Sequence, residues 1–345
     1  MAGATSGGDA RARDPASLEG VRVNLPPHVK LAVPYNHDPA VLEALGAVAR
    51  HVACVYAPVP PAAAPTGRPF RGPRSGRAYV TELKWLARRC AELGIGLNLI
   101  ANCGHLAADP QRLVAAAAAV RDVVPRLRLT LADLWLAMDV RERAPWLELS
   151  VSCLACVATP VEALWWREQV GATHLVVARD VNRQPDRLEA LATSGMTLGT
   201  VCCDICAPGC QLVHHHSWPV PPPARSTGAA RRRAWQYHDT GSRCPQHHMT
   251  RTRPWLVAQK EFLPGHLRHL PRAVTEVKIT GREQGTKTLL DRVRAYLEAE
   301  SLTHPVLGYT EPPEAWDHLA HCDRSCLTCS WCAEHIQLRG STAPG

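Results

Sequence analysis

The sequence predicts a closed (β/α)8 barrel of the TIM-like kind, with a long insertion after its seventh strand and a cysteine-rich C-terminal tail. Three observations point there. Short β-branched or leucine-rich runs alternate with stretches of helical apolar spacing. The alternation completes eight rounds between residues 28 and 300. It never breaks where an open doubly wound sheet would reverse direction.

Strands are expected at Val29–Tyr35, Val52–Ala57, Gly96–Ala101, Leu127–Leu131, Leu147–Val151, His174–Ala178, Met196–Cys202 and Val274–Thr280. Helices are expected at Pro39–Arg50, Tyr79–Leu93, Pro110–Val123, Ala132–Arg141, Pro160–Val170, Arg183–Ala192 and Lys287–Glu300. Asp109-Pro110 and Thr159-Pro160 each read as an N-cap followed by proline at the first helical position, and Gly94 and Gly171 as C-terminal stops. Residues 1–27 show no apolar periodicity and read as a disordered lead-in. The connection 203–270 is far too long for an ordinary strand-to-helix loop. It holds a proline-rich stretch, the triplet Arg231, Arg232 and Arg233, and a cysteine and histidine cluster from Cys244 to His248. Residues 301–345 form the tail.

The chain of 345 residues is 46% apolar and 20% charged. It has no uninterrupted apolar run of about 18 residues, the length a membrane span requires, and its first residues lack the apolar core of a secretory signal. A cytoplasmic protein with no membrane partner is expected. In that compartment the fourteen cysteines point to metal or redox chemistry rather than to disulfides. The basic residues are 34 Arg against 5 Lys, a bias that a GC-rich genome produces. The net charge of +8 is therefore a weak argument for a nucleic-acid partner.

The most specific motif lies in the tail: Cys322, Cys326, Cys329 and Cys332, four thiols in eleven residues. Thiolates at this spacing complete a tetrahedral zinc site or hold an iron–sulfur cluster, and spacing alone does not separate the two. A second set follows the seventh strand, at the end where barrel enzymes keep their chemistry. It comprises Cys203, Cys206 and Cys210, with Cys244 across the insertion. His214, His215, His216, His247 and His248 are alternative ligands. Cys153 and Cys156 have redox spacing after the fifth strand, whereas Cys54, Cys90 and Cys103 read as small buried hydrophobes. Polar residues expected on the same rim are Asn36, His37, Asn102, Asp133, Ser152, Arg179, Asn182, Lys278 and Arg282. Arg179 and Arg282 suit a carboxylate or phosphate, because a guanidinium fork matches those oxygens. Phosphate-loop, dinucleotide-loop and serine-hydrolase signatures are absent.

The chain resembles the peptidase U32 family through Leu31-Ala32-Val33-Pro34, the run Leu97 to Asn102, Gly171-Ala172, the pair Cys203 and Cys210, and Leu263-Pro264 with Val277 to Arg282 and Tyr296. That resemblance implies an iron–sulfur barrel enzyme like the family's members of oxygen-independent hydroxylation. It implies a [4Fe–4S] cluster with Cys203 and Cys210 as first ligands and Cys244 as a later one. The fourth ligand is then Cys206, a histidine or a thiol from the tail. A second cluster is expected in the tail, with zinc as the alternative there. The expected substrate is a small anionic or aromatic molecule held by Arg179, Lys278 and Arg282 beside Asn102. Electrons are expected from a donor protein, within a hetero-oligomer. Two other readings stand beside this one. The first is an RNA-binding or RNA-modifying protein using Arg225, Arg231 to Arg233, Arg243, Arg251 and Arg253, interleaved with Trp235, Tyr237 and Trp255. The second is a zinc-stapled accessory subunit without catalysis.

Overall fold

The computed structural model describes residues 17–65, 72, 76–203, 206, 255–323 and 328–338. Eight parallel strands close into a ring, each paired with the next and the eighth with the first. They are β1 (Lys30–Pro34), β2 (Val52–Pro58), β3 (Gly96–Ala101), β4 (Leu127–Leu131), β5 (Glu148–Val151), β6 (His174–Val176), β7 (Thr197–Cys202) and β8 (Val274–Ile279). Around them run α1 (Ala40–Leu45), α2 (Gly76–Glu92), α3 (Pro110–Ala118), α4 (Leu134–Arg143), α5 (Pro160–Val170) and α6 (Pro185–Ala192). The described end of the insertion carries α7 (Trp255–Ala258), and α8 (Thr286–Glu298) follows β8. The tail adds α9 (Ala315–Ala320), α10 (Trp331–His335) and an antiparallel pair, β9 (Tyr309–Thr310) with β10 (Gln337–Leu338). Among the described residues no helix is long and apolar enough to cross a membrane.

Local chemistry sets the helix ends. Asp109 caps α3 by accepting from the Arg112 amide, and Thr159 forms a capping box with Glu162 at α5. Gly94 and Gly171 take left-handed conformations where α2 and α5 stop. The first predicted helix differs: regular α structure ends at Leu45 and a 3-10 stretch continues to His51. Val48, a β-branched residue, sits there outside helical φ/ψ.

The two faces of the ring differ in chemistry. Outward positions such as Leu31, Val33, Leu97, Leu99, Leu129 and Leu149 are buried with the apolar faces of the helices in one large cluster. Each such side chain contributes roughly 1.5–3 kcal/mol of transfer free energy. Inward positions are largely polar, and they form the site.

The flanking segments are packed against this frame. Residues 17–27, the end of the expected disordered lead-in, lie against α8. Leu18 is in the core, the Asn24 amide donates to Leu297 O at 2.8 Å, and the Asn24 side chain donates to Glu298 O and Glu300. Residues 1–16 are outside the described residues. The tail packs on the insertion's return: Val257, Ala258 and Leu263 meet Tyr309, Ala315, Leu319 and Ile336 in a second apolar cluster. Arg183, in the loop before α6 and 1% exposed, fastens these pieces to the barrel. Its Nη1 donates to Ala258 O, Glu261 O and both Glu311 carboxylate oxygens, and its Nη2 donates to Ala315 O.

Candidate active site

Parallel strands covered on both sides normally read as continuous apolar runs, and barrel interiors are usually filled by branched aliphatics. Here β4, β5 and β8 alternate instead, giving Arg128 and Thr130, Glu148 and Ser150, and Glu276 and Lys278 on alternate positions. Contacts between strands that are not neighbours in the ring show that these side chains enter the lumen. Arg128 Nη1 on β4 donates to Glu276 Oε2 on β8 at 3.1 Å, while its Nε donates to Glu148 at 3.1 Å. His174 Nε2 on β6 stands 3.7 Å from Glu276 Oε1, and the Cys54 thiol on β2 stands 3.9 Å from Glu276 Oε2. Ser150 Oγ and His174 Nδ1 are 2.8 Å apart, and Thr130 donates to Asn98 Oδ1 at 2.8 Å. Gly199 on β7 makes the room: a Cβ there would come within 3.1 Å of the His174 ring.

Burial sets the protonation of this lumen. It forces the His174 imidazolium down to about 3, against partial support from Glu276, so the ring is neutral at ordinary pH. Burial works to raise the Glu276 carboxyl, but His174, Arg128 and Lys278 outweigh it and hold the group ionised. Burial and Glu276 together push the Cys54 thiol up, leaving it protonated.

Above this layer, toward the C-terminal ends of the strands, stands Lys278. It is 8% exposed, and its Nζ lies 4.3 Å from the centroid of the Tyr56 ring. The strand between them, β1, presents Ala32, which is buried with Cys54 and Tyr56 and leaves the two long side chains free to meet. Tyr56 is fixed by its hydroxyl donating to Ile279 O at 2.6 Å. Among the described residues the Lys278 ammonium has neither a hydrogen-bond acceptor nor an ion-pair partner. Burial lowers its proton affinity; Cys153, Glu276 and Cys54 oppose this and Arg282 adds to it. Cys153 and Arg282 therefore share the electrostatic surroundings of Lys278 at the mouth.

The other rim residues divide by what they touch. Asn36 donates to Thr286, Asp133 caps α4, Ser152 accepts from the Leu154 amide, and Asn182 donates to Val201 O. These four hold loops in place. Asn102 keeps a buried Oδ1 with no partner among the described residues. Arg179 opens the 3-10 turn after β6, and its charge opposes the burial that raises the Cys156 thiol. His37 Nδ1 lies 3.1 Å from the Glu82 carboxylate, which also accepts from Tyr35 at 3.1 Å. Strain gathers at this end: His37, Cys156 and Cys203, following β1, β5 and β7, all have positive φ. Such non-glycine conformations cost about 1 kcal/mol or more each and cluster at functional sites.

Cys203 lies directly after β7, 3% exposed, with its amide donating to Glu261 Oε1 at 2.6 Å; Cys206 follows three residues later. Cys202 instead turns outward, its thiol 3.6 Å from Lys278 O. Cys210 and Cys244, the histidines from His214 to His248 and the arginine-rich run from Arg225 to Arg253 are outside the described residues. So is Cys326. Of its tail companions, Cys332 is buried in the second apolar cluster, Cys322 packs against that cluster, and Cys329 is exposed. Among the described residues no three metal-binding side chains come together.

Alternation within the strands marks Arg128, Glu148, His174 and Glu276, which lie inside the ring rather than on its rim. Their signal is a charged residue inside an otherwise aliphatic parallel strand.

A closed (β/α)8 barrel with an ionic lumen and a cationic mouth is the class that this geometry defines. Among solved structures, the chain is similar to a U32 peptidase at 15% identity and TM-score 0.43, over 73% of this chain and 93% of that one. It is also similar to the thiamine phosphate pyrophosphorylase of Pyrococcus furiosus at 13% identity and TM-score 0.38, over 85% of this chain and 97% of that one. At such identities the likeness is one of fold. No family model and no curated protein matches the chain.

Proposed function

We propose that the protein is an enzyme acting on a small anionic molecule at the C-terminal mouth of its barrel. The observation that carries this reading is the setting of Lys278, a cation nearly removed from water with only an aromatic face beside it among the described residues. Burying an ammonium without a carboxylate costs several kcal/mol, and an incoming anion supplies the missing charge. Arg282 and Arg179 add cations at the rim after β8 and β6, and Asn102 offers an unpartnered amide oxygen. His37, oriented by Glu82, is suited to carry a proton.

The test is calorimetric titration of inorganic phosphate and of pyruvate into wild type, Lys278→Met and Arg282→Met. Each charge-assisted contact is worth about 1.5–3 kcal/mol, so each variant should bind about ten- to a hundredfold more weakly. Equal affinity in all three proteins overturns the reading.

A second reading adds an iron–sulfur centre at the exit of β7, with Cys203, Cys206, Cys210 and Cys244 as the thiol set and Cys322, Cys326, Cys329 and Cys332 as a further one. It is supported by the spacing of the buried Cys203 and of Cys206 at the exit of β7. Such a centre would supply electron transfer for oxygen-independent hydroxylation of the substrate. Protein purified without air should then be brown and carry about eight iron atoms per chain for two four-iron clusters. A colourless chain with stoichiometric zinc overturns it.

A further inference from the structure

We propose that Lys278 is a catalytic nucleophile that forms an imine with the carbonyl carbon of a 2-oxo acid bound at the barrel mouth. The inference rests on the anion-site reading above and names the substrate class for it. Four observations carry it.

The first is position. Lys278 lies on the last-but-one residue of β8, with its side chain inside the lumen at the end of the barrel where the loops open. The second is company. A lysine kept for structure is normally answered by a carboxylate, as exposed Lys287 is by Asp291 at 2.8 Å. Among the described residues Lys278 has only the face of Tyr56. The nearest carboxylate on its own strand, Glu276, is already engaged by Arg128. The third is proton affinity: burial and the Arg282 charge both favour the neutral amine, the form with a lone pair to give. Cys153, Glu276 and Cys54 act the other way without reversing the result. The fourth is the second cation. Arg282 cannot serve as a nucleophile, but its fork suits a carboxylate. An amine within electrostatic reach of a guanidinium suited to a carboxylate favours a molecule with a carbonyl next to its carboxylate.

The step balances without a cofactor. The Nζ lone pair attacks the carbonyl carbon, the C=O π pair moves to oxygen, and that oxygen takes up a proton. Nitrogen gives up its two protons, water leaves, and a C=N bond remains. Protonation at nitrogen makes it an iminium, which takes up as an enamine the electron pair left on the neighbouring carbon, on the side away from the carboxylate, when that carbon loses a proton or its bond to a further carbon breaks. Tyr56, apolar on the side facing the ammonium, shields the C=N bond from water.

Glyoxylate, the smallest aldehyde-bearing carboxylate, is the probe. The full chain is incubated with it, reduced with borohydride and analysed by intact mass and peptide mapping. The chain contains only five lysines, and Lys30, Lys84 and Lys287 are exposed. The expected result is one reduced adduct per chain, mapped to Lys278 and formed faster than at Lys30, Lys84 or Lys287, since its lowered proton affinity leaves more of it as free amine. Lys278→Arg should retain pyruvate binding by calorimetry and lose the adduct. The mapping is made on wild type, so it stands even if a variant fails to fold. Adducts spread over the exposed lysines at equal rates overturn the imine. Pyruvate binding with no adduct at Lys278 overturns the imine while leaving the anion site standing. No binding and no adduct overturns both.

Discussion

Replacing Arg183 with methionine keeps an unbranched apolar stem and removes the guanidinium that fastens the tail and the insertion's return to the barrel. The change strands a great deal. Glu311, whose side chain is fully buried, loses both charge-assisted hydrogen bonds from Arg183 Nη1, at 3.0 and 2.8 Å. The carbonyls of Ala258, Glu261 and Ala315 lose their donors. Burial already raises the Glu311 carboxyl, and Arg183 is what pulls against it. Removing one member of a buried ion pair costs about 3–5 kcal/mol. With about 2.1 cal/mol/K per residue of unfolding entropy, that lowers the melting temperature of this chain by about 4–7 °C. Circular dichroism melting measures the shift, and limited proteolysis should show residues 301–338 cut earlier than the barrel. Adding Glu311→Gln removes the stranded charge, so the double variant should regain at least about 1 kcal/mol over the single one. If Arg183→Met melts with wild type, or the double variant is the worse of the two, the clasp is not holding the tail.

Three further outcomes follow from the same geometry. His174 and His266 are held neutral by burial, at about 3 and about 2, against an ordinary value of 6.5. The unfolded chain takes up these protons first, so stability is complete above pH 6.5 and falls toward pH 3 by about 1.4 kcal/mol per pH unit per ring. Urea titrations between pH 7 and 4.5 measure the slope; His174→Asn should reduce it by one ring's share, and an unchanged slope rejects the assignment. Gly199→Ala drives a methyl group against the His174 ring, which packing confines, so a loss of about 1–3 kcal/mol in chemical denaturation is expected. Thr159→Ala removes the capping box of α5 and should cost about 1 kcal/mol in the same assay.

The ring was legible in the sequence because its outward residues are nearly continuous aliphatics separated by turn residues. Each strand is found within two residues of its expected place, and Leu127–Leu131 and Pro160–Val170 match at both ends. Caps were legible for the same local reason, since Asp109 and Thr159 act through amides three residues away. The lumen was not. Arg128 meets Glu276 across 148 positions, and no local pattern says which charges will share one axis. Nor does a polar residue after a strand reveal whether it will face a ligand or hold a loop. Asn102 and Asp133 look alike on that criterion, yet the Oδ1 of one has no partner among the described residues and the other caps α4.

An ionic axis also bears on how the ring comes together. Split between β4 and β5, the chain would leave the guanidinium of Arg128 in one portion and its two acidic partners, Glu148 and Glu276, in the other. Neither portion could bury its share without leaving charge unanswered. Half-barrels of this sequence are thus poor autonomous units, and their reunion is governed by opposite charge as well as by oil.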